Sequence, residues 1–187
     1  MISLFEDNIP VNIPGITVPP NAGSNASFAY VGIKPDNVTA RQASEAFDRL
    51  QPFMPILQGK AVGELMRGEE KQFFRDKMVE LAQLVDSMPV TYSQQNETDP
   101  IAYLHYFFGG SDWYIVEKDM EGEVDQAWGF ACLNGDMMNA EYGFISIDEL
   151  VSLVIRGFMT IDLDFHFDPT PMSVVKPSLG ERHGYQA

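Results

Sequence analysis

The chain has 187 residues, of which 45% are apolar, and this length and composition suit one domain with a well-buried core. Its 12 basic and 27 acidic residues give a formal net charge of -15, and such a field repels nucleic-acid phosphates and anionic lipid head groups. We therefore expect no direct binding to nucleic acid or to a membrane, and we expect a partner protein with a basic surface.

The acidic excess lies mainly in the second half of the chain. Residues 1–98 hold 8 basic and 12 acidic residues, whereas residues 99–187 hold 4 and 15. The single cysteine, Cys132, cannot form an internal disulfide, which fits a reducing compartment. The N-terminus lacks the pattern of a signal peptide, and no apolar run has the length of a membrane span. These features predict a cytoplasmic protein.

Residues 1–38 contain five prolines with Gly and Asn between them, a composition that blocks helices and interrupts sheets. We interpret this segment as an extended arm. One alternative is a loosely ordered leader. The other is an arm whose apolar residues wrap a partner or a second subunit, which would make the chain an assembly protein that forms a homo-oligomer.

The next segment has the pattern of helices. Thr39 followed by Gln42 matches a capping box, which predicts a helix that must end before Pro52. After a turn near residues 57–63, apolar residues recur at three- and four-residue spacing over residues 69–88 and predict a longer helix.

From residue 101 onward the periodicity becomes that of β-strands. Aromatic and β-branched runs between Gly, Asn and Asp turns predict strands in IAYLHYF, DWYIVEK, QAWGFACL and YGFIS, and the short connections favour an antiparallel meander. Ser146 with Glu149 predicts a short helix, and FMTIDLDFHF, residues 158–167, predicts a final strand.

Together these elements predict an α+β fold in which N-terminal helices pack on a C-terminal antiparallel sheet of about five strands. The expected organisation is an extended arm (1–38), a helical segment (39–98), a sheet segment with one short helix (99–176) and a tail (177–187). We expect residues 39–176 to form a single globular domain.

Four stretches carry a resemblance to a known family. They are DWYIVEKD (112–119), QAWGFACLNGD (126–136), NAEYGFISIDEL (139–150) and IDLDFHFDPTP (161–171). Their order resembles that of the family catalogued as domain of unknown function 2958, over roughly residues 99–172. The matching positions are Trp113, Tyr114, Glu117, Asp119, Gly129, Glu141, Gly143, Ser146, Glu149, Leu150, Asp164, His166, Phe167 and Pro169.

This resemblance implies a context and no activity. The family is carried by bacteriophages, plasmids and integrative elements, whose small acidic accessory proteins often act against host defences in the bacterial cytoplasm. Many members have a basic residue where this chain has Leu163, so the resemblance does not imply a charge pair within the last strand.

Acidic residues of the second half form the candidate interaction surface. A chain of this length is roughly 40 Å across, a span over which duplex DNA carries on the order of 24 phosphates. The 27 carboxylates reach that number but the net charge of -15 does not, so DNA mimicry would be partial and needs the acids on one face. The alternative is a solvated acidic surface that maintains solubility. The candidate residues are Glu117, Asp119, Glu121, Glu123, Asp125, Asp136 and Glu141.

With the resemblance, these features predict a non-enzymatic protein of a phage or other mobile element. Its most specific version is a partial DNA mimic that inhibits a host nucleic-acid-binding defence system of the restriction or CRISPR type.

The stretch TIDLDFHFDPTP supplies the catalytic alternative. In a strand, Asp162, Asp164, His166 and Asp168 would share one face, about 6.5 to 7 Å apart, so a cation would need a further ligand from elsewhere. The alternation of apolar residues explains this spacing equally well. EF-hand, nucleotide-binding and hydrolase motifs are absent from the sequence, and we predict no metal and no cofactor.

The expected role of His105 is structural. His105 lies among aromatic residues of a predicted strand, where a hydrogen-bonded core histidine is expected, and His183 lies in the predicted tail. The sequence leaves open whether His166 meets an acid from another strand.

Overall fold

The computed structural model describes residues 34–119 and 125–184. Most of the predicted arm, together with Glu121 and Glu123, lies outside these residues. The helices of the described part are α1 (Ala40–Leu50), α2 (Ile56–Leu65), α3 (Lys71–Ser87), α4 (Ile147–Ser152) and α5 (Met172–Arg182). None of these helices combines the length and apolar character required to cross a membrane.

Helices α1 and α3 confirm the predictions made from capping and periodicity. The Thr39 hydroxyl accepts a hydrogen bond from the Gln42 backbone N–H (3.3 Å), and the Gln42 side chain accepts one from the Thr39 N–H (3.1 Å). This reciprocal pair satisfies two of the unpaired donors at the start of α1. Helix α3 lies within the predicted range 69–88, and its apolar side enters the core, where Met78 is fully buried.

The strands confirm the predicted sheet. They are β1 (Ile101–Ala102), β2 (Leu104–Phe108), β3 (Ser111–Glu117), β4 (Ala127–Cys132), β5 (Glu141–Ile145), β6 (Val154–Ile155), β7 (Met159–Thr160), β8 (Asp162–Leu163) and β9 (Thr170–Pro171). Five of them form one antiparallel sheet in the order β5-β4-β3-β2-β8. The short pairs β1-β9 and β6-β7 lie outside this sheet. The α+β class is therefore confirmed.

Both faces of the sheet are covered. On one face, Tyr106 and Ile115 belong to a core cluster with residues of α1, α2, α3 and α4, and the buried Tyr106 hydroxyl donates to the Phe53 carbonyl oxygen (2.7 Å). On the other face, Tyr114 and Val116 pack with residues of α5. Strand β3 is therefore buried at nearly every position, as expected for a central strand between two layers.

Two helices differ from the sequence predictions. Residues 57–63, predicted as a turn, belong to α2, where the Gln58 side chain pairs with both the N–H and the carbonyl of Leu163 (2.9 and 2.7 Å). Residues 177–182, expected in a tail, continue α5, and Leu179 is fully buried. In both cases tertiary contacts outweigh a local composition that disfavours helix.

The prediction of one final strand over residues 158–167 is wrong. The structure contains only β7 and β8 there, and the chain turns immediately after Leu163. The Asp164 carboxylate accepts from the His166 backbone N–H (2.9 Å), a local bond that competes with strand pairing.

Candidate functional site

A buried polar network centred on His105 connects β2, β3 and the segment after β8. The imidazole is 5% exposed and stacks on Tyr114, the residue opposite it in β3, with 4.4 Å between ring centroids. Its Nε2 lies 2.9 Å from Asp112 Oδ1, and its Nδ1 lies 3.1 Å from Asp164 Oδ2. Ionised carboxylates only accept hydrogen bonds, so this arrangement favours an imidazole that carries both protons.

The charge on His105 follows from this balance. Burial alone would lower the pKa of the imidazole, but the hydrogen bonds to Asp112 and Asp164, together with their negative charges, outweigh it and raise the pKa. For Asp164 the hydrogen bond with His105 is the main influence, and it lowers the pKa of the carboxyl. Both shifts favour a protonated imidazole between two carboxylates, an arrangement in which removing one partner would leave a buried charge uncompensated.

Asp112 extends the network to the C-terminal helix. This residue is 2% exposed, and its carboxylate also lies 2.8 Å from Arg182 Nη1 and 3.2 Å from His183 Nε2. Burial by itself would raise the pKa of Asp112, but the two histidines and the Arg182 charge lower it. Asp112 thus ties the end of α5 to the sheet.

This network suits a structural role better than proton transfer to a substrate. A general acid or base needs an atom within hydrogen-bond reach of the reacting group, whereas both nitrogens of His105 already contact carboxylates. Among the described residues, every side-chain nitrogen or oxygen atom that is fully buried, including those of this network, has a hydrogen-bond partner. The expectation that His105 is a hydrogen-bonded core histidine agrees with this geometry.

The polar residues of TIDLDFHFDPTP do not share one strand face. Asp164 turns toward His105, whereas His166 and Asp168 are exposed after the strand has ended. The His166 ring stacks on that of Phe73, with 6.4 Å between centroids, and the described contacts of its side chain include no acid from another strand. Asp162 stays half-buried in β8, and burial raises the pKa of its carboxyl.

Three of these residues border an open cleft of about 620 Å³. Asp162, Asp164 and His166 line it together with the exposed rings of Phe107 and Phe158. Among the described residues, no group of three or more His, Cys, Asp or Glu side chains is arranged to hold a metal ion.

The predicted acidic residues divide between two ends of the sheet. Asp119 and Asp125 lie in the connection between β3 and β4, next to the Ala127 end of β4, while Glu141 pairs with Ala131 near the opposite end. Asp136 lies with Glu141 at that opposite end, and hydrogen bonds from Asn139 lower the pKa of its carboxyl. The residues therefore do not form one continuous face.

Glu117 is the exception among the predicted acidic residues because it is buried. It is 3% exposed, and its carboxylate accepts hydrogen bonds from the backbone N–H groups of Tyr92 (2.7 Å) and Gln94. It cannot contribute to an exposed acidic surface.

Sequence reasoning did not select Asp112, Arg182 and His183. The available signal was a carboxylate inside DWYIVEK, a stretch already predicted as a strand rich in large apolar residues, where an acid needs a buried partner. Those partners could not be predicted because Pro177 and Gly180 disfavour a helix, and the sequence therefore did not indicate the helix that carries Arg182.

The family comparison covers most of this architecture. The family described as protein of unknown function DUF2958 matches residues 74–178, which include most of α3, the whole sheet and the network residues His105, Asp112 and Asp164. Searches of curated proteins and of solved structures gave no significant match. Because the match spans more than half of the 187 residues, the chain belongs to the DUF2958 family.

Proposed function

We propose that this protein is a non-enzymatic interaction protein that binds a basic protein of its host through one acidic end of the sheet. We define the acidic end by Asp119, Asp125, Asp148 and Glu149. The observation that carries the proposal is the strand register: Ala127 at the start of β4 lies opposite Ile145 at the end of β5. The acids between β3 and β4 and those that open α4 are therefore placed at the same end.

The part of the sequence that supplies the acidic end carries charge of one sign. Residues 119–155 contain eight Asp or Glu and no Lys, Arg or His. The basic residue just before them, Lys118, turns its ammonium toward α3, where it donates to the carbonyl oxygens of Val85 (2.8 Å) and Asp86 (3.0 Å). A surface with one sign of charge attracts partners of the opposite sign and speeds their association.

The more specific version is inhibition of a nucleic-acid-binding defence system of a bacterial host. A basic groove that holds nucleic-acid phosphates is a surface to which such an acidic end is complementary, and the mobile-element context of the resemblance supports this choice. Because the acids divide between two ends of the sheet, we propose that the protein competes locally for part of such a groove. It would not mimic DNA over its whole surface.

The test is affinity capture from lysate of a bacterial host with three baits. They are the native chain, the acidic-end variant Asp119→Lys/Asp125→Lys, and the matched control Asp136→Lys/Glu141→Lys at the opposite end. Each exposed ion pair is worth about 0.2 to 1 kcal/mol and reversal adds repulsion of similar size, so the first variant should weaken binding by about 1 to 4 kcal/mol.

The expected result is a basic protein recovered by the native and control baits and lost with the acidic-end variant. Added duplex DNA should reduce its recovery if the captured surface is a nucleic-acid groove. Equal recovery with all three baits would contradict the proposal, and so would loss with the control bait alone.

A further inference from the structure

A second cleft, of about 440 Å³, lies next to the acidic end on the α5 side of the sheet. One wall is the loop of residues 91–100, and the other is formed by Glu117, Trp128, Tyr142 and Lys176. Its volume falls within the range of protein sites for small ligands and side chains.

A β-bulge brings Glu117 into this cleft. The register of β3 against β4 shifts between Ile115 and Glu117, so that Glu117 lies opposite Trp128. Alternation along a regular strand would place Glu117 on the same face as Ile115, toward the helical core. Bulges commonly redirect a side chain in this way, and here Val116 and Glu117 both line the cleft.

Among the described residues, Glu117 has hydrogen-bond donors but no positively charged partner. The ion pairs of the described residues do not include it, and its two oxygens accept from backbone N–H groups of Tyr92 and Gln94. A carboxylate can accept about four hydrogen bonds. A buried carboxylate that is oriented but not neutralised is suited to a cation that enters the cleft.

The loop that holds Glu117 is strained at Tyr92. This residue has φ 75°, a left-handed conformation that costs a large non-glycine residue on the order of 1 to 3 kcal/mol. The conformation directs its N–H to Glu117 and leaves the side chain 56% exposed at the cleft. The surrounding contacts thus hold the backbone of Tyr92 in a conformation that a non-glycine residue disfavours.

Aromatic rings complete the cleft. Trp128 and Tyr142 lie parallel, with an interplanar angle of 5° and 6.5 Å between centroids. The Lys176 ammonium lies 4.3 Å from the centroid of Tyr142 and 4.8 Å from that of Phe130. These rings already hold one cation, and Trp128 has the aromatic face best suited to a second one.

The charges around the cleft also favour a positively charged ligand. Among the described residues that line it, Glu97 and Glu117 are acidic and Lys176 is the only basic one. Burial lowers the pKa of Lys176, while the negative charge of Asp99 opposes that shift. Asp99 is therefore a further acidic residue that acts on this ammonium.

We propose that this cleft binds an arginine side chain of a basic partner, with the guanidinium on the Trp128 ring and its N–H groups directed to Glu117. Arginine fits better than lysine because its planar guanidinium stacks on aromatic rings and donates to a carboxylate in parallel pairs. The inference rests on the proposed function, since the acidic end would attract the partner and the adjacent cleft would take one of its side chains.

The test is an NMR titration of the native chain with Nα-acetyl-L-arginine amide. Nα-acetyl-L-citrulline amide, which has a similar shape and no charge, is the matched probe. The chain contains two tryptophans, so the Trp113 indole serves as an internal reference. We expect saturable shifts of the Trp128 indole and of the Tyr92 and Gln94 amides, with citrulline at least about fivefold weaker.

Variants assign the interaction to named side chains. Glu117→Gln should weaken arginine binding at least about fivefold without affecting citrulline, and Trp128→Leu should weaken arginine binding by a similar factor. Glu141→Gln, an exposed acid at the opposite end of the sheet, should leave it unchanged. If Glu117→Gln does not fold, the two probes on the native chain and Trp128→Leu still decide the question.

The proposal is overturned if arginine and citrulline shift the Trp128 resonance equally, or if arginine produces no saturable shift there. Its failure is distinguishable from failure of the proposed function. Capture that depends on Asp119 and Asp125 but not on Glu117 or Trp128 would support the role of the acidic end and contradict that of the cleft. Arginine binding together with capture that does not depend on the acidic end would support the cleft and contradict the proposed function.

Discussion

Replacing Asp112 by Asn should destabilise the protein strongly, because this carboxylate holds three donors at the junction of the sheet and α5. Removing one partner of a buried charge pair costs about 3 to 5 kcal/mol. The Arg182 side chain is 52% exposed, and its share is worth about 1 kcal/mol or less because water screens it. We therefore expect a loss of about 2 to 4 kcal/mol.

Urea unfolding monitored by circular dichroism measures this loss. For a chain of this size the midpoint should fall by about 1 M or more. Hydrogen exchange should also show earlier opening of α5, since Asp112 contacts Arg182 at its end. The control is Asp168→Asn, an exposed acid, which should change stability by less than about 0.5 kcal/mol. If both variants have the same midpoint, the network does not stabilise the fold and the reasoning fails.

Three further outcomes test the rest of the structure. Because the pKa of His105 is raised in the folded state, the stability that its charge contributes is fully present below the unfolded pKa of 6.5 and is lost as pH rises through the higher folded pKa. Urea midpoints should therefore fall as pH rises above 6.5 through the folded pKa, and His105→Gln should remove this pH dependence. Gly129→Ala should cost roughly 3 kcal/mol, because its Cβ would lie 2.3 Å from the Tyr114 carbonyl oxygen, while Gly143→Ala, with no neighbour within 4 Å, should cost far less in the same urea assay. Millimolar magnesium, calcium or zinc should move the melting temperature by less than about 1 °C; a larger rise would favour the metal-dependent alternative.

The fold was predictable where short-range patterns decide structure. The capping box at Thr39 and the apolar spacing of residues 69–88 each specify a helix from residues that lie within a few turns of one another. Strand alternation and short turns similarly defined the sheet, because consecutive strands with short connections pair with each other.

The polar network depends on long-range contacts that the sequence does not display. Asp112 meets Arg182, 70 residues away, and Asp164 meets His105, 59 residues away. The error in the final strand has a local cause: the Asp164 carboxylate accepts a hydrogen bond from the His166 backbone N–H, and the chain turns there instead of continuing along β2. Alternation indicates which residues could share a face, but it does not show where a side chain forms a local hydrogen bond that ends the strand.

The position of Glu117 shows a similar limit. Its sequence context in DWYIVEKD indicates an acid at the exposed end of a strand. One inserted residue in the pairing of β3 with β4 rotates it to the other face and buries it under the loop that contains Tyr92. Register shifts arise from the partner strand, so a single strand's pattern cannot reveal them.

The most direct test of the central claim is the salt dependence of binding between this chain and the protein recovered by capture. If the acidic end carries the interaction, affinity should fall steadily as NaCl increases from about 50 to 500 mM, because salt screens exposed charges. The Asp119→Lys/Asp125→Lys variant should bind more weakly with a shallower dependence, and the Asp136→Lys/Glu141→Lys control should follow the native chain. Tight binding that is insensitive to salt, with the same affinity for all three proteins, would contradict the account.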